Sequence, residues 1–207
     1  MNRAERRRTA PTTKAKAKGK SRGWMIYGSI ALVVIGLIVA VAVASYVPPP
    51  PAPPDAVTLT PGQVAPEFQV STTAGPFDLA QEKGKPVFLE VFATWCPHCQ
   101  RETAILNKLY AAYNGRVAFV AVTGNPLGMD RTSPESQGDV NNFVAQFNVQ
   151  YPVAYDANLD VARKYFQGGY PTLVVIGKTG LIQTVGTGEL TQAKLSGYLD
   201  KALTAPG

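Results

Sequence analysis

The sequence predicts an α/β domain with a mixed central sheet flanked by helices, preceded by one transmembrane helix. Three observations indicate this fold class. Apolar runs of strand length alternate with stretches of helical periodicity, a strand–turn–strand pattern and an amphipathic helix close the chain, and an uncharged apolar stretch lies near the N-terminus. Alternating strands and helices indicate parallel strand pairs and the hairpin adds an antiparallel pair, so the sheet is expected to be mixed.

The N-terminal part of the chain is expected to hold the protein in a membrane. Residues 1–23 carry nine of the 20 Lys and Arg residues and one of the 14 acidic residues, so the net charge of +6 belongs to this tail. Residues 24–47 contain no charged side chain and make roughly 36 Å of helix, enough to cross a hydrocarbon core of about 30 Å. The basic flank predicts a cytoplasmic N-terminus and a domain on the outer, periplasmic or extracellular, side of the cell membrane.

Both N-terminal features have alternatives. A cleaved signal peptide also contains an apolar region, and Ala42 and Ala44 fit its cleavage site, but such regions usually have about 7–15 residues. A basic tail can bind nucleic acid, but one that runs into an apolar span acts in topology and contact with anionic lipids. We therefore expect an uncleaved anchor and no nucleic-acid partner. A Pro-rich linker, residues 48–60, follows, and its first part, PPPPAPP at 48–54, is expected to be a semi-rigid polyproline II spacer.

The exported domain, residues 61–207, contains strands and helices in alternation. Residues 85–94 are a nearly continuous apolar run, typical of a strand buried on both faces. Residues 97–113 follow as a helix, with its apolar face predicted at Ala104, Ile105, Lys108 or Leu109, and Ala112. Residues 125–138 lack periodicity and are predicted to be a connecting surface loop, with gating of a site as the alternative. The other elements are predicted in this order: strand 116–124, helix 140–149, strand 151–156, helix 158–166 capped by Asn158, hairpin 171–188, and helix 191–203 capped by Thr191.

Cys96 and Cys99 are the only cysteines, and His98 between them is the only histidine. A disulfide across two residues restrains little chain, structural zinc needs four ligands, and covalent haem needs a histidine where Gln100 stands. The pair is therefore predicted to be catalytic, without a metal or cofactor. Because Pro97 begins a helix, a Cys96 thiolate would face free backbone N–H groups, which lower its pKa. Cys96 is the predicted attacking thiolate and Cys99 the resolving thiol.

The segments FLEVFATWCPHC and YPTLVVIGKTG, with the closing helix, resemble the thioredoxin fold. From about Pro61 the chain is similar to the membrane-anchored, exported thioredoxin-like oxidoreductases of the TlpA and ResA group. The segment PGQVAPEFQVSTTAGPFDL resembles that group's added N-terminal strands, and residues 125–166 resemble its central strand–helix insertion. The resemblance implies a cis Pro171, with Tyr170 offering its backbone to a substrate peptide opposite Cys96. It also implies exported protein thiols or disulfides as partners, and a membrane redox partner that recycles the pair.

Two acids and a tryptophan complete the predicted site. Glu90 occupies the position where thioredoxins and Dsb-type oxidases hold a buried acid, which implies a proton relay that deprotonates Cys99; an outward-facing strand residue is the alternative. Glu102 resembles an acid with which anchored reductases tune the same thiols, and compensation of the helix dipole explains it equally well. Trp95 is expected to form a partly exposed wall beside the site.

The direction of electron flow and two further function classes stay open at this point. The dipeptide Pro97–His98 matches strongly oxidising Dsb-type pairs, whereas the anchored architecture is typical of reductants; the dipeptide is the more local determinant and favours oxidation slightly. A peroxiredoxin-like thiol peroxidase is an alternative because PGQVAPEFQVSTT also opens such domains, although their Pro-x-x-x-Thr-x-x-Cys frame is absent. A copper-binding chaperone would need wider cysteine spacing and a distant histidine.

Overall fold

The computed structural model describes residues 23–46 and 51–206, which fall into two units: the N-terminal helix and the α/β domain. The predicted basic tail, apart from its last residue, lies outside the described residues. Helix α1 spans Gly23–Ala44. Among the residues described, none of the helices combines the length and hydrophobicity that a membrane span requires. The transmembrane helix predicted at 24–47 is therefore not confirmed.

The domain is built on one seven-stranded mixed sheet with the strand order β2-β1-β5-β4-β3-β6-β7. Strand β4 pairs in parallel with β3 and β5, and the other neighbours are antiparallel. The predicted mixed sheet is confirmed, with the added N-terminal strands β1 and β2 forming a hairpin at one edge. The strand bounds are β1 (Gln69–Thr72), β2 (Gly75–Asp78), β3 (Val87–Phe92), β4 (Ala118–Thr123), β5 (Val153–Ala154), β6 (Thr172–Ile176) and β7 (Ile182–Thr187).

Helices cover both faces of this sheet. A core cluster on one face includes residues of three helices, and a second cluster on the opposite face includes α4 and the N-terminal segment from Leu59 to Leu79. A short 3₁₀ helix at Leu79–Glu82 follows β2. The α-helices of the domain are α2 (Pro97–Tyr113), α3 (Gln137–Gln146), α4 (Ala162–Tyr165) and α5 (Gln192–Thr204).

Strand β3 places the site at the end of the sheet. All six of its residues are buried, because it lies between β4 and β6 and is covered on both faces. Successive side chains of a strand point to opposite faces. Phe88 and Phe92 accordingly pack with α2, α3 and α5, while Leu89 and Val91 pack on the opposite face. The strand ends directly before the segment Ala93–Cys96, which leads into α2.

Helix α2 has the predicted bounds, but its buried face differs from the predicted one. Of the five residues named in the prediction, Leu109 is buried and Ile105 is half-buried, whereas Ala104, Lys108 and Ala112 are exposed. Two polar residues belong to the buried face, so the apolar residues alone do not reveal it. The buried residues are Cys99, Glu102, Thr103, Leu106, Leu109 and Tyr113.

Helix α4 begins later than predicted, and Asn158 does not cap it. Leu159 has a φ of 59°, which interrupts helical geometry before the helix starts. The Asp156 carboxylate instead accepts hydrogen bonds from the N–H groups of Asp160, Val161 and Ala162 at 2.9, 2.8 and 3.0 Å. Asp156 therefore supplies the capping that the sequence analysis assigned to Asn158.

The linker predicted at 48–60 is not a detached spacer over residues 52–60. The guanidinium of Arg163 donates to the Ala52 carbonyl at 3.2 Å, and the Val57 N–H donates to the Phe166 carbonyl at 2.8 Å. Leu59 is buried in the second core cluster. Burial of such apolar side chains removes them from water, so this segment packs along the domain instead of extending from it.

Candidate active site

Cys96 is the N-cap residue of α2. It has extended backbone angles, φ −77° and ψ 118°, and Pro97 is the first helical residue, as the sequence predicts. The free N–H groups of a helix N-terminus attract negative charge. The backbone N–H groups of His98 and Cys99 stabilise the sulfur of Cys96 in this way.

The pKa of the Cys96 thiol is lowered from 9.0 to about 6. The largest cause is a hydrogen bond from the Cys99 thiol; burial opposes it, and the two backbone N–H groups and the charge of His98 lower the pKa further. At pH 7 this thiol is roughly nine-tenths thiolate. The thiolate is the nucleophile in disulfide exchange, so Cys96 has the electrostatics of an attacking residue.

Cys99 lies one turn into α2 and is almost completely buried, with 1% of its surface exposed. Both cysteines are free thiols in this structure. Burial raises the pKa of Cys99 well above its usual value, and the hydrogen bond to Cys96 and the charge of Glu90 raise it further. Cys99 therefore keeps its proton and donates it in a hydrogen bond to the Cys96 sulfur, as expected of a resolving thiol before attack.

Glu90 is buried in the middle of β3, with 2% of its surface exposed. The outward-facing alternative is therefore wrong for this residue. Burial raises its pKa well above the usual range, the charge of Glu102 adds to the rise, and a hydrogen bond from Tyr151 opposes it. The Tyr151 hydroxyl lies 3.5 Å from its Oε2. A proton relay through Glu90 stays a prediction.

Glu102 is also buried, at 0% exposure, on the second turn of α2. Its Oε1 accepts a hydrogen bond from the Leu190 N–H at 2.8 Å, while its Oε2 has no partner among the described residues. Burial raises the pKa of Glu102 to about 7, against the hydrogen bond from Leu190. Solvated compensation of the helix dipole does not explain a carboxyl in this position.

The loop before β6 brings Tyr170 and Pro171 to the cysteine. The Tyr170–Pro171 peptide bond is cis, as the resemblance implied. The Cys96 sulfur lies 3.7 Å from the Tyr170 carbonyl oxygen. Trp95 is partly exposed beside these groups and packs edge-on against the Tyr170 ring, with ring centres 6.1 Å apart. The predicted wall of the site is therefore present.

The His98 ring contacts Arg101 and Glu189. Its Nδ1 lies 2.7 Å from Nη2 of Arg101 and 3.3 Å from Oε2 of Glu189, and the same Glu189 oxygen accepts from Arg101 at 2.8 Å. The ring charge is the smallest cause of the lowered Cys96 pKa, behind the backbone N–H of His98. Glu189 was missed because it lies 91 residues away in sequence, after β7.

The segment 125–138 contacts residues of the site, so the prediction of a merely connecting surface loop is wrong. Glu135 is 6% exposed and its Oε1 accepts a hydrogen bond from the Thr94 hydroxyl at 2.8 Å. The Arg131 guanidinium lies over the Trp95 ring, 4.4 Å from its centre. Neither residue belongs to a motif, and no local pattern marks either contact.

A groove of about 570 Å³ opens beside His98 and Tyr170. It runs between the start of α2, the loop before β6 and the turn after β7, and contains space for a peptide-sized ligand. Its walls include His98, Ile105, Gly169, Tyr170, Thr187 and Glu189. Among the residues described there is no group of three or more His, Cys, Asp or Glu side chains placed to hold a metal ion.

Comparison with known proteins agrees with this site. Residues 60–201 match the family model described as Redoxin. A thiol-disulfide oxidoreductase ResA of Bacillus cereus is 34% identical over 142 residues, which cover 68% of this chain and 77% of that protein. The ResA protein of Oceanobacillus iheyensis is 28% identical over 193 residues, covering 89% and 92% of the two chains.

The fold is similar to that of a solved thiol:disulfide interchange protein. A crystal structure of a putative thiol:disulfide interchange protein DsbE from Chlorobium tepidum superposes with a TM-score of 0.61 at 27% identity, covering 70% of this chain and 99% of that one. The chain therefore belongs to the Redoxin family, as a thioredoxin-like thiol–disulfide oxidoreductase.

Proposed function

We propose that this protein exchanges disulfides with exported proteins through the Cys96–Cys99 pair. The single observation that best supports the proposal is the lowered pKa of Cys96, about 6, at the N-terminus of α2. In the reducing direction the Cys96 thiolate attacks a substrate disulfide and displaces one substrate sulfur as a thiolate. Cys99 then attacks the Cys96 sulfur, releases the second substrate sulfur and closes the Cys96–Cys99 disulfide; oxidation of a substrate dithiol follows the same steps in reverse.

Cys99 must lose its proton before it can resolve the mixed disulfide. Burial and the neighbouring charge of Glu90 keep its pKa high while Cys96 is free. Glu90 is a buried carboxyl whose own pKa is well above its usual range, so an ionised Glu90 is a strong enough base to accept that proton. We assign Glu90 the role of relay between Cys99 and solvent.

The substrate is proposed to bind along the loop before β6. The Tyr170 carbonyl lies beside the Cys96 sulfur, so an extended peptide that pairs with the backbone there brings its own sulfur within reach. The groove of about 570 Å³ continues past this point and offers apolar contacts at Ile105 and Leu190. An extended peptide paired in this way gains backbone hydrogen bonds without a defined side-chain sequence.

The lowered pKa of Cys96 favours a redox potential between those of thioredoxin and DsbA. Thioredoxin has a cysteine pKa of about 7 and a redox potential of about −270 mV. DsbA has a cysteine pKa of about 3.5 and a redox potential of about −120 mV. The Cys96 pKa of about 6 lies between these two values and closer to that of thioredoxin, so an intermediate potential is expected. The His98 ring adds little, since it is held by Arg101 and Glu189. We therefore infer that the recycling partner, and not the dipeptide, decides whether substrates are oxidised or reduced.

The location outside the cytoplasm and the membrane anchor are proposed from the sequence. A basic tail followed by the uncharged stretch 24–47 is the supporting pattern. The stability of the anchor in a bilayer is tested by fractionation of cells that express the full chain, followed by carbonate extraction. Recovery of the protein in the soluble fraction with an intact N-terminus would contradict an anchor.

The exchange itself is tested with a Cys99→Ala variant of the full chain. Without the resolving thiol, Cys96 should accumulate mixed disulfides with protein substrates, visible as bands that collapse on reduction. A Cys96→Ala variant is the matched control and should form none. If Cys99→Ala forms no such adducts while the reduced wild type consumes peroxide rapidly, the protein is a thiol peroxidase instead.

A further inference from the structure

The loop formed by residues 125–136, here called the insertion loop, contacts the two residues that precede Cys96. Glu135 accepts a hydrogen bond from the Thr94 hydroxyl at 2.8 Å. Arg131 lies over the ring of Trp95 at 4.4 Å from its centre. Two side chains of one loop thus contact two consecutive residues at the entrance to α2.

The insertion loop has the internal bonds of a rigid element. The Asp130 carboxylate accepts hydrogen bonds from the N–H groups of Thr132 and Ser133, both at 2.8 Å, and the Glu135 N–H donates to the Pro126 carbonyl at 2.8 Å. The Tyr155 hydroxyl donates to the Glu135 carbonyl at 2.6 Å. The position of the Glu135 backbone is therefore fixed both from within the loop and from the segment after β5.

Thr94 is held from a second direction as well. The Gln100 side chain, on the first turns of α2, donates to the Thr94 carbonyl at 2.9 Å, and Thr94 itself has no exposed surface. The N–H of Cys96 donates to the Ala93 carbonyl at 3.0 Å and closes a tight turn around Thr94. Movement of Thr94 would therefore move the backbone from which the Cys96 sulfur projects.

Glu135 is a buried carboxyl with an oxygen that lacks a hydrogen-bond partner among the described residues. It is 6% exposed, and the oxygen without a partner is Oε2. Burial raises the pKa of Glu135 to about 7, while the hydrogen bond from Thr94 opposes the rise. The titratable groups around it are Asp139 on α3, Tyr155 after β5 and Tyr170 before β6, with Arg131 further along its own loop. A buried carboxyl of this kind can change its charge close to neutral pH.

We propose that Glu135 is a positioning residue for Cys96, which acts by holding Thr94 and thereby the turn that aims the attacking sulfur. An ionised carboxylate accepts a shorter and stronger hydrogen bond than a neutral carboxyl. The turn is therefore held more firmly when Glu135 is ionised, and the reactivity of each Cys96 thiolate rises as the pH increases past neutrality. The inference rests on exchange at Cys96, but its test does not require a protein substrate.

The test compares reduced wild-type protein with Glu135→Gln, Glu135→Ala and Thr94→Val. The rate of Cys96 alkylation by iodoacetamide and the rate of exchange with oxidised glutathione are measured between about pH 5.5 and about pH 8.5. Each rate is divided by the thiolate fraction, obtained from the ultraviolet absorbance of the thiolate. Glu67→Gln, an exposed glutamate in the N-terminal part of the domain, is the matched control for loss of one carboxylate.

In the wild type the corrected rates should rise with pH, with a midpoint at about pH 7, the pKa of Glu135. The control Glu67→Gln should show the same profile. Glu135→Ala and Thr94→Val should lose about tenfold to a hundredfold in rate, the range expected when a reacting group is misplaced by up to about 1 Å. Glu135→Gln, which keeps an acceptor for Thr94 but cannot ionise, should retain the wild-type rate at low pH and lose the rise.

A purely structural role would leave the corrected pH profile of Glu135→Gln the same as that of the wild type, and this result would overturn the inference. Wild-type rates in a folded Glu135→Ala protein would overturn it as well. If Glu135→Ala does not fold, the profile of Glu135→Gln decides. Failure of the proposed function has a different signature: the wild type would be alkylated with its normal profile but would not exchange with glutathione.

Discussion

The sulfur of Cys96 lies 3.7 Å from the carbonyl oxygen of Tyr170, the residue that precedes the cis proline. These residues are 74 positions apart in sequence, and the antiparallel pairing of β3 with β6 brings them together. The Cys96 sulfur and the Tyr170 carbonyl, a backbone acceptor for a peptide, thus lie side by side at the ends of the neighbouring strands β3 and β6. Because neither depends on a substrate side chain, this arrangement supports the proposed exchange with protein substrates.

The thiol of Cys99 should control the acidity of Cys96. Its hydrogen bond is the largest cause of the Cys96 pKa of about 6, so Cys99→Ala should move that pKa upward, towards the usual value of about 8.5. Cys99→Ser keeps a hydroxyl donor and should move it less. The measurement is thiolate absorbance against pH in both reduced variants. An unchanged Cys96 pKa in Cys99→Ala would assign the acidity to the helix N-terminus alone.

The ring of His98 should contribute less to the lowered pKa of Cys96 than the backbone N–H group of His98 does. His98→Ala keeps the N–H group that contributes to the Cys96 pKa and removes only the ring charge, which is the smallest cause. The upward shift of the Cys96 pKa should therefore be smaller than in Cys99→Ala, and the redox potential against glutathione should change little. A shift in His98→Ala as large as that in Cys99→Ala would show that the ring acts directly on the sulfur.

Glu102 should make the fold less stable as the pH rises. Its pKa is near 4.5 when unfolded and about 7 when folded. Below about pH 4.5 both states bind the proton, so Glu102 does not change the free energy of unfolding. Between the two pKa values only the unfolded state ionises, so stability falls as the pH rises. Above about pH 7 the loss is complete. The full loss is at most roughly 3 kcal/mol.

The Glu102→Gln substitution removes this ionisation and can keep the hydrogen bond from the Leu190 N–H. Relative to the wild type, the variant should therefore gain stability between about pH 5 and about pH 8, measured by urea unfolding at both values. Acids that do not interact with Glu102 contribute equally to both proteins and cancel in the comparison. Loss of the Glu102 charge also reduces the rise in the Glu90 pKa, which adds to the gain in the variant. A constant difference between the two proteins at both pH values would contradict a raised pKa at Glu102.

The sequence predicted the parts of the site that depend on local chemistry. Pro97 after a buried strand identified the start of α2 and hence the exposure of Cys96 to free N–H groups. Non-local contacts had no local signal. Glu135 reaches Thr94 across 41 residues, and Glu189 reaches Arg101 across 88. Asp156 was missed as a cap because its three contacts lie four to six residues ahead of it, beyond the usual N-cap spacing.

The buried face of α2 was predicted wrongly because two of its buried residues are polar. Helical periodicity is read from apolar residues, but Glu102 and Thr103 occupy the buried face of this helix. The Thr103 hydroxyl bonds back to the Cys99 carbonyl at 3.1 Å, and Glu102 accepts from the Leu190 N–H, so both side chains have partners inside the protein. Such partners become visible only after the chain has folded.

Asp156 should be important for stability. Its carboxylate accepts hydrogen bonds from three backbone N–H groups at the start of α4, and it is 6% exposed. Asp156→Ala should reduce the free energy of unfolding by about 1–3 kcal/mol, since buried donors are left unpaired. Asp156→Asn keeps one acceptor oxygen and should lose less. Equal losses in the two variants, measured by urea unfolding, would show that the oxygen contacts are not the source of the stability.

Gly124 should tolerate no side chain, because β3 and the Tyr170 ring approach it closely. A Cβ atom there would overlap Cγ1 of Val91 and lie 3.2 Å from Cε1 of Tyr170. Gly124→Ala should therefore cost about 1–3 kcal/mol of stability through overpacking, and displacement of Tyr170 should slow exchange at Cys96.

Gly138→Ala is the matched control: it lies in the first turn of α3 with only Ser136 nearby, at 3.4 Å. This control should raise stability slightly, since alanine favours helix. Equal effects of the two substitutions, in unfolding and in exchange rate, would contradict the close approach of Val91 and Tyr170 to Gly124.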